Sequence, residues 1–363
     1  MDGKDRRPGD AGKRNYGVDL LRLLAMFMVL CLHVYGHGGI LEKLPRLSAS
    51  YEAAWLAEIL CLCCVNCYML ISGYVSCRTD GRASRLAVLW LRVFYYSVLL
   101  TALTKLLYPG SVTGQDWLCS VLPVLFNRYW FFTAYFAVYL LMPVLNAASR
   151  SLSKKQLEGC LLGLLLFFSV FPTLLHQDPF GTGFGNSALW FSFVYLVGAY
   201  IRCYPPLKQW RQSQLLLLYL GSCGIMWLSK LLIELRSSRI GNHLLPYCSP
   251  LVLLSAVALL LLFSRMEVSD ARIPWIKKLS PLAFSVYLIH EHPLFREHVI
   301  EKLSFLGECP LPLMLLGHLA AVLALYIFCL GVDAVRESLF RRLKIGTRLR
   351  DLEDKLFPAL WNK

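Results

Sequence analysis

Arg22 and His33 are the residues whose types and spacing point most directly to chemistry. Both lie inside the first long apolar run, Val18–Tyr35. In a helix, eleven residues at about 100° each return to within ~20° of the same face, ~16 Å further along the axis. A fixed cation and a titratable imidazole therefore share one stripe. An Arg at the centre of a bilayer costs at least ~2.5–3.5 kcal/mol, so it must face a polar cavity or a partner. Asp19, three residues before Arg22, supplies the purely structural alternative, an ion pair. For His33 alone that alternative is a hydrogen-bonded core histidine. Together on one face, separated by a span suited to an elongated ligand, the two favour a functional site.

Other chemistry-bearing patterns are weaker. Tyr287 and His290 are three residues apart and share a helix face, where they would line a cavity or act as interfacial anchors. His290-Glu291-His292-Pro293 superficially suggests a metal site. On a helix, residues two apart point ~200° apart, so both histidines cannot chelate one ion, and no metal site is expected. Cys64-Val65-Asn66-Cys67 lies within an apolar run and reads as small-residue helix packing. Gly181–Asn186 lacks the Lys-Ser/Thr of a phosphate loop and is expected to give flexibility.

The elements that must position these residues are helices in a membrane. The composition is 57% hydrophobic and only 17% charged, against about 25% charge in a soluble domain. Apolar runs recur along the whole chain: Val18–Tyr35, Trp55–Val75, Leu86–Leu107, Tyr129–Leu145, Leu157–Leu175, Leu189–Tyr204, Leu215–Leu235, Tyr247–Phe263, Pro281–Ile300 and Leu311–Val335. Each is long enough to cross a ~30 Å hydrocarbon core, which predicts an all-α integral membrane bundle of about ten transmembrane helices. The ninth run is crowded at its end by His290, Glu291, His292 and Arg296. Trp117–Phe126 contains Pro123, is too short to span, and reads as an interfacial or re-entrant piece.

The net charge of +14 does not indicate nucleic acid, because the basic residues sit at helix ends rather than in one patch. They alternate by loop: Arg78, Arg82 and Arg85, then Arg150, Lys154 and Lys155, then Arg202, Lys208 and Arg211, then Arg265, Arg272, Lys277 and Lys278 fall on one side with both tails. The positive-inside bias places that side, and both termini, in the cytoplasm. Residues 1–16 form a basic tail, 17–335 the transmembrane domain and 336–363 a second basic tail. Leu339, Leu343, Leu349, Leu352 and Leu356 give that last segment the pattern of an amphipathic helix on the membrane surface. The first run carries Arg22 and His33 and no small-residue cleavage site, so it is read as a retained helix rather than a signal peptide. Thirteen cysteines, most in apolar runs, imply buried thiols and no disulfide framework.

Four segments in order resemble the membrane-bound acyltransferase-3 family. Val18-Asp19-Leu20-Leu21-Arg22 with His33 at Arg-x10-His spacing resembles its first helix. Ile71-Ser72-Gly73-Tyr74 with the basic loop Arg82–Arg85 is similar to its second-helix exit. Tyr129-Trp130-Phe131-Phe132-Thr133-Ala134-Tyr135, running to Leu141-Met142-Pro143, resembles its fourth helix, and Ser285-Val286-Tyr287-Leu288-Ile289-His290 its closing signature. The resemblance implies an O-acyltransferase of the plasma (inner) membrane, with acetyl-CoA as donor co-substrate, no tightly bound cofactor, and a carbohydrate acceptor. It implies Arg22, Arg82 and Arg85 as contacts for CoA phosphates, where guanidinium forks suit phosphate oxygens. His33 becomes the general base on the acceptor hydroxyl, or a transient acyl carrier. Tyr129, Trp130, Tyr135, Tyr287 and His290 become acceptor-binding candidates. Nothing after the last helix resembles the extra-cytoplasmic module of larger members, as in the family's short forms. The competing reading is a polytopic transporter of a small polar or glycan substrate, which intramembrane Arg and His would also serve. A sensory module without catalysis is a third. No internal repeat and no paired Gly/Pro-broken helices support the transporter.

Overall fold

The computed structural model describes residues 14–79, 81–237 and 240–356, and every element among them is helical. The principal helices are α1 (Tyr16–Tyr35), α2 (Ala49–Cys61), α3 (Cys64–Ser76), α4 (Ala83–Leu107), α5 (Trp130–Ser151), α6 (Lys154–Leu165), α7 (Ala188–Cys203), α8 (Gln212–Arg236), α9 (Pro250–Ser264), α10 (Ala283–His290), α11 (Leu311–Arg342) and α12 (Ile345–Leu356). A π turn at Leu166–Val170 and a short helix, Phe171–Leu175, extend α6. The basic residues of 1–13, Arg239 and the end of the tail after Leu356 lie outside the described residues.

Local sequence sets the helix starts. Asn15, Ser48 and Ser187 each accept a backbone N–H in the first turn of α1, α2 and α7, and Ser153 with Gln156 forms a capping box on α6. The short helix Gly114–Val121 has the same device from Thr113 and Asp116, and it overlaps the first half of Trp117–Phe126, the stretch predicted to be too short to span.

Among the described residues, seven helical segments are long and apolar enough to cross a membrane: Tyr16–Lys43, Ala49–Ser76, Ala83–Leu107, Trp130–Ser151, Lys154–Leu175, Gln212–Arg236 and Leu311–Arg342. Ala188–Cys203 and Pro250–Ser264 are shorter apolar helices. The ninth predicted span, Pro281–Ile300, is not one helix. α10 stops at His290, and a turn precedes the short helix Pro293–Phe295 and the π turn Arg296–Ile300. Pro293 explains the break, because the residue before a proline is driven out of the helical region. His292 accordingly has φ −57° and ψ 125°.

α1 lies at the centre, packed against α2, α3, α9, α10 and α11. Glycines let backbones approach there: a Cβ at Gly17 would clash with the Phe263 carbonyl, and one at Gly73 with the Tyr195 carbonyl. Several buried charges are paired. Arg336 holds Asp333 through two nitrogens at 2.7 and 2.8 Å, and Tyr96 donates to the same carboxylate at 2.8 Å. α12 docks against the start of α4: the Glu353 carboxylate accepts N–H bonds from Ala83 and Ser84, at 2.8 and 3.3 Å.

Candidate functional site

The stripe predicted on α1 is present. Met26, Val29 and His33 line a cleft between α1, α3, α5 and α10, and Arg22 lies one turn before Met26. Opposite them stand Cys64, Val65 and Tyr68 of α3, Trp130 and Phe131 of α5, Tyr287 of α10, and Tyr247. The cavity left among these side chains is only about 20 Å³. The cleft is therefore narrow and almost wholly apolar around His33. Trp130 and Tyr247 close it as a stacked pair, ring centres 6.2 Å apart and planes at 16°.

At one end, Arg22 Nη1 donates to Asp19 at 2.7 Å and to the Ser280 hydroxyl at 3.1 Å. Ser280 in turn donates to Asp19 at 3.2 Å. The ion pair with Asp19 is thus real, and Arg22 keeps 28% of its side chain exposed. Both contacts use one terminal nitrogen of a fork with five N–H donors. The start of α4 lies at this same end, since Arg92 donates to the carbonyl of Pro281 at 2.9 Å. Arg82 and Arg85 stand some 10–15 Å further along α4 than Arg92. Arg82 meets Asp354 of α12 at 3.3 Å.

At the other end, two groups converge on His33. Its Nδ1 lies 2.8 Å from Nε2 of His290 and 3.0 Å from Oε2 of Glu291. His290 Nδ1 lies 2.6 Å from the Val286 carbonyl, which can only accept, so the His290 proton sits on Nδ1 and its Nε2 carries a lone pair. His290 Nε2 therefore accepts from His33 Nδ1, and the proton belongs there; Glu291 Oε2 stands close to the same nitrogen without a hydrogen bond of its own. This assigns the tautomer from the hydrogen-bond network. His33 Nε2 is left with a free lone pair on a ring that lines the cleft.

Of the aromatic candidates, Trp130 and Tyr287 line the cleft with His33, and His290 touches His33 directly. Tyr129 does not line it; its hydroxyl donates to the Leu288 carbonyl at 3.0 Å and holds α10 in place. Tyr135 stacks on Phe131, centroids 6.3 Å apart, one layer behind. The two histidines flanking Glu291 do diverge, because the helix ends rather than because it continues. His290 turns to His33, while His292 lies 3.3 Å from both Arg128 and Thr101.

Sequence reasoning passed over Glu291, His37 and Tyr247. Glu291 was visible only as the middle of a motif set aside on the geometry of an unbroken helix. The helix break turns its carboxylate onto His33, with His37 at 3.5 Å and Arg296 at 3.6 Å. Ligand atoms of His33, His37 and Glu291 lie within 4.8 Å of one another. Tyr247 is set by the Gly-rich loop expected to be merely flexible. Asp178 clasps that loop through the N–H groups of Thr182 and Gly183 at 2.8 and 2.6 Å. Phe184 then accepts from the backbone of Cys248 at 3.2 Å. Gly185, at φ 100°, lies against Tyr247 where a side chain would clash. Cys64 and Cys67 are free thiols in packed helix, and Cys64 lines the cleft.

A family model described as an acyltransferase domain matches residues 15–332. No curated protein and no solved structure matches the chain. The family match takes in α1, the cleft, the helix break and most of α11. With the apolar helices of spanning length, it makes this chain a multi-pass membrane acyltransferase, a member of the acyltransferase-3 family.

Proposed function

We propose that the chain moves an acetyl group from cytoplasmic acetyl-CoA to a hydroxyl of a cell-surface polysaccharide or its lipid-linked precursor. Ten crossings with both termini in the cytoplasm of a plasma (inner) membrane fit the loop charges and put Arg22 on the CoA side. The observation that carries the reading is the placement of His33 on the cleft: its Nδ1 lies 2.8 Å from His290 Nε2 and 3.0 Å from the Glu291 carboxylate, which leaves Nε2 as the nitrogen to act as base.

In this reading His33 Nε2 removes the acceptor hydroxyl proton as its oxygen attacks the thioester carbonyl. Glu291, 3.0 Å from the opposite ring nitrogen, stabilises the imidazolium that forms. The carbon–sulfur bond breaks, and the CoA thiolate leaves and recovers the proton from His33. Arg22 binds phosphate of the donor in exchange for part of its contact with Asp19, and Arg82 and Arg85 add attraction at the mouth. The closed cleft is too narrow for a sugar ring, so the acceptor must part Trp130 from Tyr247.

Membranes containing the protein should release free CoA thiol from acetyl-CoA when an acceptor glycan is supplied. Flux of labelled solute with no thiol release would instead indicate a transporter and would falsify this reading.

A further inference from the structure

We propose that His33, His37 and Glu291 bind a zinc-type divalent ion, and that this ion switches off the base at His33. The second half rests on the function proposed above; the binding itself does not.

The donors are already close to a coordination shell. His33 Nδ1 and His37 Nε2 lie 3.0 and 3.5 Å from the same oxygen of Glu291. A tetrahedral zinc with bonds of about 2.0–2.2 Å places its ligand atoms ~3.3–3.5 Å apart. Two edges of the shell therefore stand near their final length. The third, between the two histidines, needs only a small closing movement, since all three donors lie within 4.8 Å of one another. His37 can make it: it sits in the turn after α1, with 37% of its side chain exposed.

A supporting layer is also present. The second oxygen of Glu291 faces Arg296 at 3.6 Å. His290, 2.8 Å from His33, has its Nδ1–H fixed on the Val286 carbonyl, the arrangement that orients metal-binding imidazoles, and its Nε2 can serve as a fourth donor. Imidazoles with one carboxylate select zinc, cobalt or copper over magnesium or calcium, which prefer all-oxygen shells.

The effect on chemistry follows from the tautomer. An ion on His33 Nδ1 displaces the proton there, and the neutral ring then carries it on Nε2. The nitrogen that would take the acceptor proton becomes an N–H. No proton is gained or lost in this exchange, but the base is gone, and Glu291 is diverted to the ion.

The full chain in lipid nanodiscs, titrated with Co²⁺ and then with Zn²⁺, tests this directly. One Co²⁺ per chain is expected, with the visible bands of a tetrahedral nitrogen and oxygen shell, displaced by Zn²⁺. His37→Ala should weaken binding at least ~10-fold; if that variant fails to insert, His37→Gln takes its place. Zn²⁺ should stop thiol release by the wild type and spare the His37 variant. Failure to retain Co²⁺, thiolate-to-cobalt charge-transfer bands from the Cys61–Cys67 region, or undiminished binding by the His37 variant would overturn the site. Binding without any effect on thiol release would overturn the inhibition. Binding as expected in a protein that never releases thiol would count against the acyl-transfer reading and leave the site standing.

Discussion

Two buried clusters of ionisable side chains are built from similar parts and use them differently. Around Lys230, which is fully buried, the ammonium meets Glu52 at 2.8 Å and Glu234 at 3.1 Å and lies 4.0 Å from the ring centre of Tyr51. A cation is enclosed by carboxylates and an aromatic face, and no lining residue of the cleft takes part. Around His33 the arrangement is open: His290 Nε2 meets one ring nitrogen, the Glu291 carboxylate stands 3.0 Å from that same nitrogen, and the other nitrogen is left uncommitted. The first arrangement ties α2 to α8. The second orients a ring and keeps a lone pair beside the cleft. Burial of charge is common to both clusters; what sets the second apart is that His33 also lines a cleft.

Mutations should separate the two clusters. His33→Ala is expected to lower thiol release by ~10²–10⁴-fold while the protein still inserts and runs as a monodisperse species in detergent. Glu291→Gln should cost roughly 10²-fold in rate by loosening the ring orientation and the charge partner, and its pH–rate profile should move. An unchanged profile would place Glu291 outside the mechanism. Lys230→Ala should do the reverse. Removing one partner of a buried ion pair costs about 3–5 kcal/mol, read as a lower unfolding midpoint, with the activity per folded molecule retained. If Lys230→Ala instead abolished turnover in folded protein, the contrast drawn here would fail.

Smaller effects are expected at the other end of α1. Arg22→Lys keeps the charge and loses the fork, so KM for acetyl-CoA should rise by about tenfold with little change in kcat. The smallest effect concerns α12. Burial pushes the Glu353 carboxyl upward, but hydrogen bonds from Ser84 and Ala83 outweigh it and hold its pKa below the ordinary value. A carboxyl lowered in the folded state contributes stability that is complete above its unfolded pKa and fades as pH falls through the folded one. Protease sensitivity of the C-terminal segment should accordingly rise on acidification below about pH 4 in the wild type, and Glu353→Gln should show that sensitivity already at neutral pH.

The Arg22 and His33 stripe was legible because helical periodicity needs no tertiary information. Trp130, Tyr287 and His290 were legible through ordered motifs, and the structure brings all three to His33. Tyr129 and Tyr135 share their motif yet pack behind the cleft, since neighbouring positions on a helix face different ways and only the docking of α5 selects among them. Glu291 was hidden by the assumption of an unbroken ninth helix, although Pro293 carried the signal.

By itself the sequence determined that this chain is a helical membrane protein and that a cation and an imidazole share one face of α1. Those properties depend on composition and a repeat of 3.6 residues, both of them local. Only the tertiary structure decided which acceptors meet His33 Nδ1, that Tyr247 and Trp130 close the cleft, and that Glu353 docks α12 on the start of α4. Each of these joins residues far apart in the chain, through close approach of helix backbones and a helix break whose outcome no local pattern fixes.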